Sequence, residues 1–211
     1  MQNPAARSQV PALGFVLFIL FAGPSAVSAS QVTDQMKSTI DGVLHLVTNA
    51  DYKNDRQTQR RMIHDLIDKR FSYEQMSMRS LAKNWKSISQ DEQREFVQLF
   101  SKLLENSYAN KIESASDEKV DYKEEKVKGQ YALIKTEIIR STGSIEVDYK
   151  LIQLKDEWKV YDLVIEGVSL VRNYRSQFNR IIHQESYDAL KKKIIARISD
   201  IESDQKVSDE L

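Results

Sequence analysis

Between Lys119 and Glu166 apolar side chains recur at every second residue, whereas on either side they recur every three or four residues. Alternation is typical of β-strands with one buried face, and the longer period is typical of amphipathic helices. Turn residues divide the alternating stretch into predicted strands at about 119–128, 130–140, 144–154 and 157–166. Connections this short join antiparallel neighbours, because a parallel pair needs a long crossover.

The last two strands indicate which side chains face the interior. In the third strand Val147, Tyr149 and Leu151 alternate with charged residues, so we expect one apolar and one wet face. In the fourth strand, strict alternation predicts one face made of Trp158, Val160 and Val164. The opposite face also carries apolar residues, which predicts that this strand is covered on both sides.

Helical periodicity flanks the sheet, at about 30–50, 56–69, 73–81, 89–112, 168–183 and from 186 onwards. The fourth of these helices begins with a capping box formed by Ser89 and Glu92. Its apolar stripe is wider than a surface helix needs, which fits either a helix buried between two layers or a ligand-facing stripe. The predicted class is α+β: a twisted antiparallel sheet of about four strands, with helices packed on one face.

The N-terminal segment predicts export. Arg7 is followed by an apolar run over 12–22 and by small residues up to Ala29. This arrangement is typical of a secretory signal peptide, and the run is too short to span a bilayer. We therefore predict a signal peptide over 1–29, one folded domain over 30–202 and a flexible polar tail over 203–211.

Composition excludes several classes of function. The chain has no cysteine, which excludes disulfides, thiolate metal sites and thiol nucleophiles. Its 31 basic residues balance 31 acidic residues, and this neutrality argues against nucleic acid as a partner. It also argues against adsorption to anionic lipid headgroups, so we expect only transient contact with membranes.

Residues with catalytic chemistry are scarce. The three histidines lie on different predicted helices, and none is at a metal-ligand spacing from another: His45, His64 and His183. Asp162 and Glu166 could serve as a general base on a cup-shaped sheet, but no polarising partner is evident. Asp162 is more simply a structural residue that pairs with a backbone amide, or with Arg172 or Arg175. We therefore expect no catalytic residue, metal or cofactor.

One stretch resembles a known family. Residues 158–178 contain W-x-V-Y-D, E-G-V-S and N-Y-R-x-x-F elements in the order and spacing of the MlaC, or toluene-tolerance auxiliary, family. Residues 71–77, the Trp85-Lys86 pair and residues 93–96 also look like family positions, while Lys83-Asn84 departs from the family's usual Leu-Gly. The likeness covers about 31–200.

The resemblance implies a periplasmic phospholipid carrier with a cystatin-like cup and an added helical subdomain. The implied partners are an inner-membrane ABC transporter with its substrate-binding ring and an outer-membrane lipoprotein complex, in a system that maintains outer-membrane lipid asymmetry. The carrier is expected to act as a monomer. Two alternatives stay open: a carrier of a polycyclic lipid such as a hopanoid, and an enzyme that uses Asp162 or Glu166.

A carrier of this kind must enclose the lipid tails. Two acyl chains hold roughly 30 methylenes at about 0.8 kcal/mol each, so wet tails would cost on the order of 20 kcal/mol. We expect the sheet, the fourth helix and the fifth helix to line the cavity, through Phe100, Leu103, Val147, Tyr149, Leu151, Val160, Val164, Tyr174 and Phe178.

Overall fold

The computed structural model describes residues 29–52, 55–115 and 118–209. The helices are α1 (Ala29–Thr48), α2 (Arg56–Arg70), α3 (Tyr73–Leu81), α4 (Gln90–Glu113), α5 (Leu170–Gln184) and α6 (Tyr187–Asp209), with 3₁₀ segments at Ala50–Tyr52 and Ala82–Ser87. The strands are β1 (Lys119–Lys128), β2 (Tyr131–Arg140), β3 (Gly143–Leu154), β4 (Glu157–Ile165) and β5 (Val168–Ser169). Within these ranges, no helix is long and apolar enough to cross a membrane.

The sequence predicts a signal peptide at one end of the chain and a flexible tail at the other. The predicted signal peptide lies outside the described residues, apart from Ala29 at its boundary. At the other end α6 continues to Asp209, past the point where the sequence predicts the tail to begin. Flexibility of the tail stays a prediction.

The sheet confirms the α+β class and is antiparallel throughout, with the strands in chain order from β1 to β5. It has one strand more than predicted, because residues 168–169 form β5 instead of the first turn of α5. Glu166 (φ 47°) and Gly167 (φ 78°) form the two-residue turn between β4 and β5. Positive φ at both central positions matches the right-handed twist of an antiparallel pair.

A β-bulge changes the predicted faces of β4. Val160 pairs with Leu151, but Asp162 pairs with Lys150, so Tyr161 is the extra residue. One inserted residue moves every later side chain to the other face of the sheet. The prediction that Val164 lies beside Val160 is therefore wrong: Val164 pairs with Asp148 on the charged face of the sheet.

Two apolar clusters form the interior. The sheet cluster lies between α1 and the sheet and contains Val32, Met36, Ala132, Ile134, Val147, Tyr149, Leu151, Trp158 and Val160. The helix cluster lies among α3, α4, α5 and α6 and contains Met76, Leu81, Phe96, Phe100, Leu103, Leu104, Leu170, Val171, Phe178, Leu190, Ile194 and Ile198. Phe71 and Leu163 pack against both clusters and join them.

The segment between α2 and α3 attaches the helices to the part of the outer edge of β4 that β5 leaves unpaired. Phe71 pairs in parallel with Val160, and the Ser72 amide donates to the Val160 carbonyl at 2.9 Å. The half-buried Arg70 guanidinium donates to the Trp158 carbonyl at 2.8 Å. It also donates to two α1 side chains, Gln35 Oε1 at 2.9 Å and Thr39 Oγ1 at 3.1 Å. One side chain thus holds α1, α2 and β4 together.

Asp162 fixes the start of α5. Its Oδ1 accepts from the Val171 amide at 3.0 Å, while its Oδ2 accepts from Ser169 Oγ at 2.7 Å and from Lys150 Nζ at 3.0 Å. Ser169 in turn caps α5 by accepting from the Arg172 amide. The backbone-amide pairing predicted for Asp162 is confirmed. The predicted arginine partners are wrong, because Arg172 and Arg175 lie on the exposed side of α5 and Lys150 is the cation that Asp162 meets.

Replacing Arg70 by lysine tests the junction of α1, α2 and β4. An ammonium cannot reproduce the rigid fork that reaches three acceptors, so we expect Arg70→Lys to lower the free energy of unfolding by about 1–3 kcal/mol. The matched control is the exposed Arg61→Lys on the same helix, expected to change it by less than about 0.5 kcal/mol. Urea denaturation measures both, and equal stability of the two variants would contradict the assigned role.

Replacing Asp162 by asparagine tests the anchor of α5. The amide nitrogen would face a donor, so Asp162→Asn should cost about 1–3 kcal/mol of stability at neutral pH. Asp148→Asn on the same face of the sheet is the control, with an expected change near zero. Thermal and urea unfolding measure the effect; wild-type stability for Asp162→Asn would show that the buried carboxylate does not hold this end of the sheet.

Candidate functional site

A cavity of about 250 Å³ lies between α2 and α4. The start of α3 and the C-terminal part of α6 complete its walls. The lining residues are Arg60, Ile63, His64, Ile67, Tyr73, Glu105, Asn106, Ala109, Ile112, Glu113 and Glu202.

The helical repeat explains the chemistry of the walls. On α2, Ile63 and Ile67 are four residues apart, and on α4, Ala109 and Ile112 are three apart, so each helix turns one apolar strip towards the other. Tyr73 adds an aromatic ring at the start of α3. The cavity therefore has an apolar strip on each of these helices, flanked by charged residues of α2 and α4, and α6 adds the charged Glu202.

Ion pairs join α2 to α4 beside the cavity. Arg60 forms a bidentate pair with Glu113, with Nε 2.5 Å from Oε1 and Nη2 3.0 Å from Oε2. His64 Nε2 lies 2.9 Å from Glu105 Oε2, and its Nδ1 lies 3.3 Å from Asp68 Oδ2. The His64 side chain and its partners are partly exposed to solvent, so each of these pairs contributes only about 0–1 kcal/mol. The Arg60–Glu113 pair is less exposed and bidentate, which makes it the stronger contact. Along this line of contact the two helices are held together by a small number of polar side chains.

The hydrogen-bond geometry limits which atoms of His64, Asp68 and Glu105 can carry a proton. A neutral imidazole has one N–H donor and one acceptor nitrogen, so it cannot donate to two carboxylates at once. Both His64 contacts are favourable only with a second proton on the imidazole or with a proton on one carboxyl. Burial raises the pKa of Glu105, an effect that the His64 charge partly offsets. Burial, with the nearby Asp68 and Glu105 carboxylates, also raises the pKa of Tyr73, so its hydroxyl stays protonated.

His64, Asp68 and Glu105 also form the one group in the described ranges whose ligand atoms lie close enough to share a metal ion, all within 4.8 Å. Their arrangement favours an ion-pair network instead. The carboxylates contact the two different nitrogens of one imidazole, whereas a metal would need ligand atoms that converge on one point. The sequence prediction missed this group because Glu105 comes from a helix distant in the chain.

The structure places the predicted lining residues in the two apolar clusters. Phe100, Leu103 and Phe178 are buried in the helix cluster, and Tyr174 packs against it with its ring centroid 5.1 Å from that of Phe100. The buried residues of the sheet cluster include Val147, Tyr149, Leu151 and Val160. Val164 belongs to neither cluster, and no predicted lining residue contacts the α2–α4 cavity.

Aromatic contacts connect the cavity to the clusters. Tyr73 lines the cavity, and its ring lies 6.4 Å from that of Phe71, centroid to centroid. Phe71 in turn packs against both clusters. The apolar stripes that line the cavity are visible in the sequence, but that they face each other across a hollow is not.

Neither predicted base candidate is placed for catalysis. Asp162 is buried, and its carboxylate is occupied by Lys150, Ser169 and the Val171 amide. Glu166 is exposed in the turn before β5. Neither residue lines the cavity between α2 and α4.

Known proteins share this architecture. The fold is similar to that of a phospholipid-binding protein from Ralstonia solanacearum whose structure holds a phospholipid, with a TM-score of 0.74 and 19% identity over 81% of this chain and 98% of the other. The sequence is 23% identical over 186 residues to the intermembrane phospholipid transport system binding protein MlaC of Haemophilus influenzae, which covers 84% of this chain and 87% of that relative. The family model described as MlaC protein matches residues 37–196. Because that match spans most of the chain, this protein belongs to the MlaC family, as the elements between Trp158 and Phe178 predict.

Proposed function

We propose that this protein is a periplasmic carrier that holds a phospholipid by its acyl chains and transfers it between two membranes. The observation that carries the proposal is the apolar-walled cavity between α2 and α4 in a chain of the MlaC family. The name of the Haemophilus influenzae relative and the phospholipid bound to the Ralstonia solanacearum protein support the same class of ligand. The predicted signal peptide would deliver the protein to the periplasm.

The size of the cavity determines how a lipid would enter. At about 250 Å³ it is smaller than the ~300–1,000 Å³ of most ligand pockets, and two acyl chains need more room. Binding therefore requires α2 to separate from α4. The partly exposed pair of His64 with Glu105 opposes this by only about 0–1 kcal/mol, and the bidentate pair of Arg60 with Glu113 opposes it more strongly. Burial of the tails is worth on the order of 20 kcal/mol relative to water. Relative to a bilayer, where the tails are already out of water, that gain vanishes, so the separation of the two helices must itself cost little.

The path of the tails follows from the contacts around Phe71. Once the cavity widens, Tyr73 and Phe71 lead from it to the boundary between the two clusters. We propose that the deeper tail segments contact residues of both clusters, which retains the sequence prediction except at Val164. These proposed lining residues are Phe100, Leu103, Val147, Tyr149, Leu151, Val160, Tyr174 and Phe178.

Transfer requires balanced affinity. A phospholipid in a bilayer already has its tails out of water, so a carrier that held it much more tightly would not release it. The net direction of transport would then be set by membrane partners, which the family resemblance implies to be an inner-membrane ABC transporter with its ring and an outer-membrane lipoprotein complex. No chemical step is needed, and the protein would act without enzymatic activity or cofactor.

Analysis of co-purified lipid tests the proposed ligand. Protein purified from the periplasm, extracted with organic solvent and analysed by mass spectrometry, should contain glycerophospholipid at a near-stoichiometric amount. The reason is that an enlarged apolar cavity without tails would be wet or would collapse. Folded protein without lipid would contradict the carrier proposal, and a polycyclic lipid in place of phospholipid would contradict the proposed ligand class.

Filling the cavity tests the proposed entry site. Ala109→Trp places an indole between α2 and α4, in space that the acyl chain would use, so we expect several-fold less co-purified lipid and a nearly unchanged thermal midpoint. The matched control is Ala196→Trp at an exposed position of α6, which should retain wild-type lipid content. Full lipid occupancy in Ala109→Trp would place the tails elsewhere.

A further inference from the structure

Three segments of the helical part are rich in basic residues. Helix α5 (Leu170–Gln184) contains three arginines and no acidic residue, and the 3₁₀ segment Ala82–Ser87 contains two lysines and no acidic residue. On α3, Arg79 lies near the C-terminal end, whereas the acidic Glu74 lies in the first turn. We call this surface the basic face, defined by Arg79, Lys83, Lys86, Arg172, Arg175 and Arg180.

Hydrogen bonds join these three segments to one another. Arg175 Nε donates to the Arg79 carbonyl at 2.7 Å, which joins α5 to α3. Asn84 Nδ2 donates to Asn179 Oδ1 at 2.6 Å, which joins the 3₁₀ segment to α5. Asn179 Nδ2 donates in turn to the Arg175 carbonyl on its own helix. The cations therefore stand on a common scaffold of fixed geometry.

The cations of the basic face lack carboxylate partners. In the part of the chain that the structure describes, none of the six forms an ion pair. Elsewhere pairing is frequent, as between Lys102 and Glu202, Lys135 and Glu124, and Lys193 and Glu185. Six cations without a carboxylate partner therefore lie on three adjoining segments whose only acidic residue is Glu74. Such a field attracts an acidic partner and raises the rate of association.

Two of the arginines are held in place before any partner binds. The Arg79 guanidinium carbon lies 4.4 Å from the centroid of the Tyr161 ring, and Arg175 is bonded through Nε. A guanidinium that is already ordered loses little side-chain entropy when it pairs with a carboxylate. Tyr131, 41% exposed, packs edge-on against Tyr161 at the border of the face. Arginine and tyrosine are the residues enriched where protein surfaces bind each other.

From this arrangement we infer that the basic face is the docking surface for an acidic surface of a protein partner. Ordered guanidinium groups suit the bidentate geometry of carboxylates. A membrane surface is the less suitable occupant, because the large exposed apolar residues in the described ranges include no Trp, Phe or Leu that could insert into lipid. The inference concerns a surface on α3, α5 and the 3₁₀ segment, and it does not depend on what the cavity binds.

Charge reversal on the basic face tests the inference. The variant Lys83→Glu/Arg172→Glu/Arg180→Glu changes three exposed cations whose side chains make no hydrogen bond in the described structure. The control Lys119→Glu/Lys128→Glu/Lys192→Glu makes the same change in net charge at exposed, unpaired lysines on β1 and α6. Circular dichroism and lipid content should be unchanged in both, so that loss of binding is not loss of fold or of ligand.

The probes are a fluorescein-labelled deca-glutamate peptide and vesicles of phosphatidylglycerol, each titrated against protein purified from cells at low and moderate salt. We expect salt-dependent peptide binding that weakens at least tenfold in the basic-face variant and less than twofold in the control, with no vesicle binding. Equal weakening in both variants, or no peptide binding by the wild type, would overturn the inference. Binding to vesicles without binding to the peptide would also overturn it and would assign the face to a membrane.

Discussion

The part of the outer edge of β4 that β5 leaves unpaired is where the helices of this protein are joined to its sheet, and the chain reaches that edge through Arg70, Phe71 and Ser72. An unpaired strand edge leaves amide and carbonyl groups that need partners, and here the segment between α2 and α3 supplies some of them. Phe71 at the same time packs against both apolar clusters. The orientation of α2, and with it the cavity between α2 and α4, depends on this junction.

The two sides of α2 are held by contacts of different strength. Towards the sheet, half-buried hydrogen bonds of Arg70 and the pairing of Phe71 with Val160 fix its C-terminal end. Towards α4, the contacts are partly exposed ion pairs around a hollow with apolar walls. A helix that is anchored at one end and weakly held along one side can move without unfolding. That property is what a carrier needs if it is to admit long acyl chains and release them.

The charged residues of the sheet and those of the basic face also differ in how they are paired. The outward face of the sheet carries lysines paired with acidic residues, for example Lys135 with Glu124 and Lys123 with Glu137. The basic face has no such pairs in the described structure, so the positive charge there remains available to another molecule. The equal numbers of basic and acidic residues therefore give the net charge of this protein but not the distribution of charge over its surface.

The sequence by itself determined the α+β class, all six helices and four of the strands, because hydrophobic period, capping residues such as Ser89 and short turns are local properties. It also determined the family, through motifs that are contiguous in the chain. Only the tertiary structure decided which apolar stripes of the helices and strands face each other. The bulge at Tyr161 has no glycine that would have predicted it, and it turns Val164 to the other face of the sheet. The cavity exists because Ile63 on α2 and Ala109 on α4 face each other across a gap. Period and propensity report on neighbours in sequence, whereas a cavity depends on the distance between segments far apart in the chain.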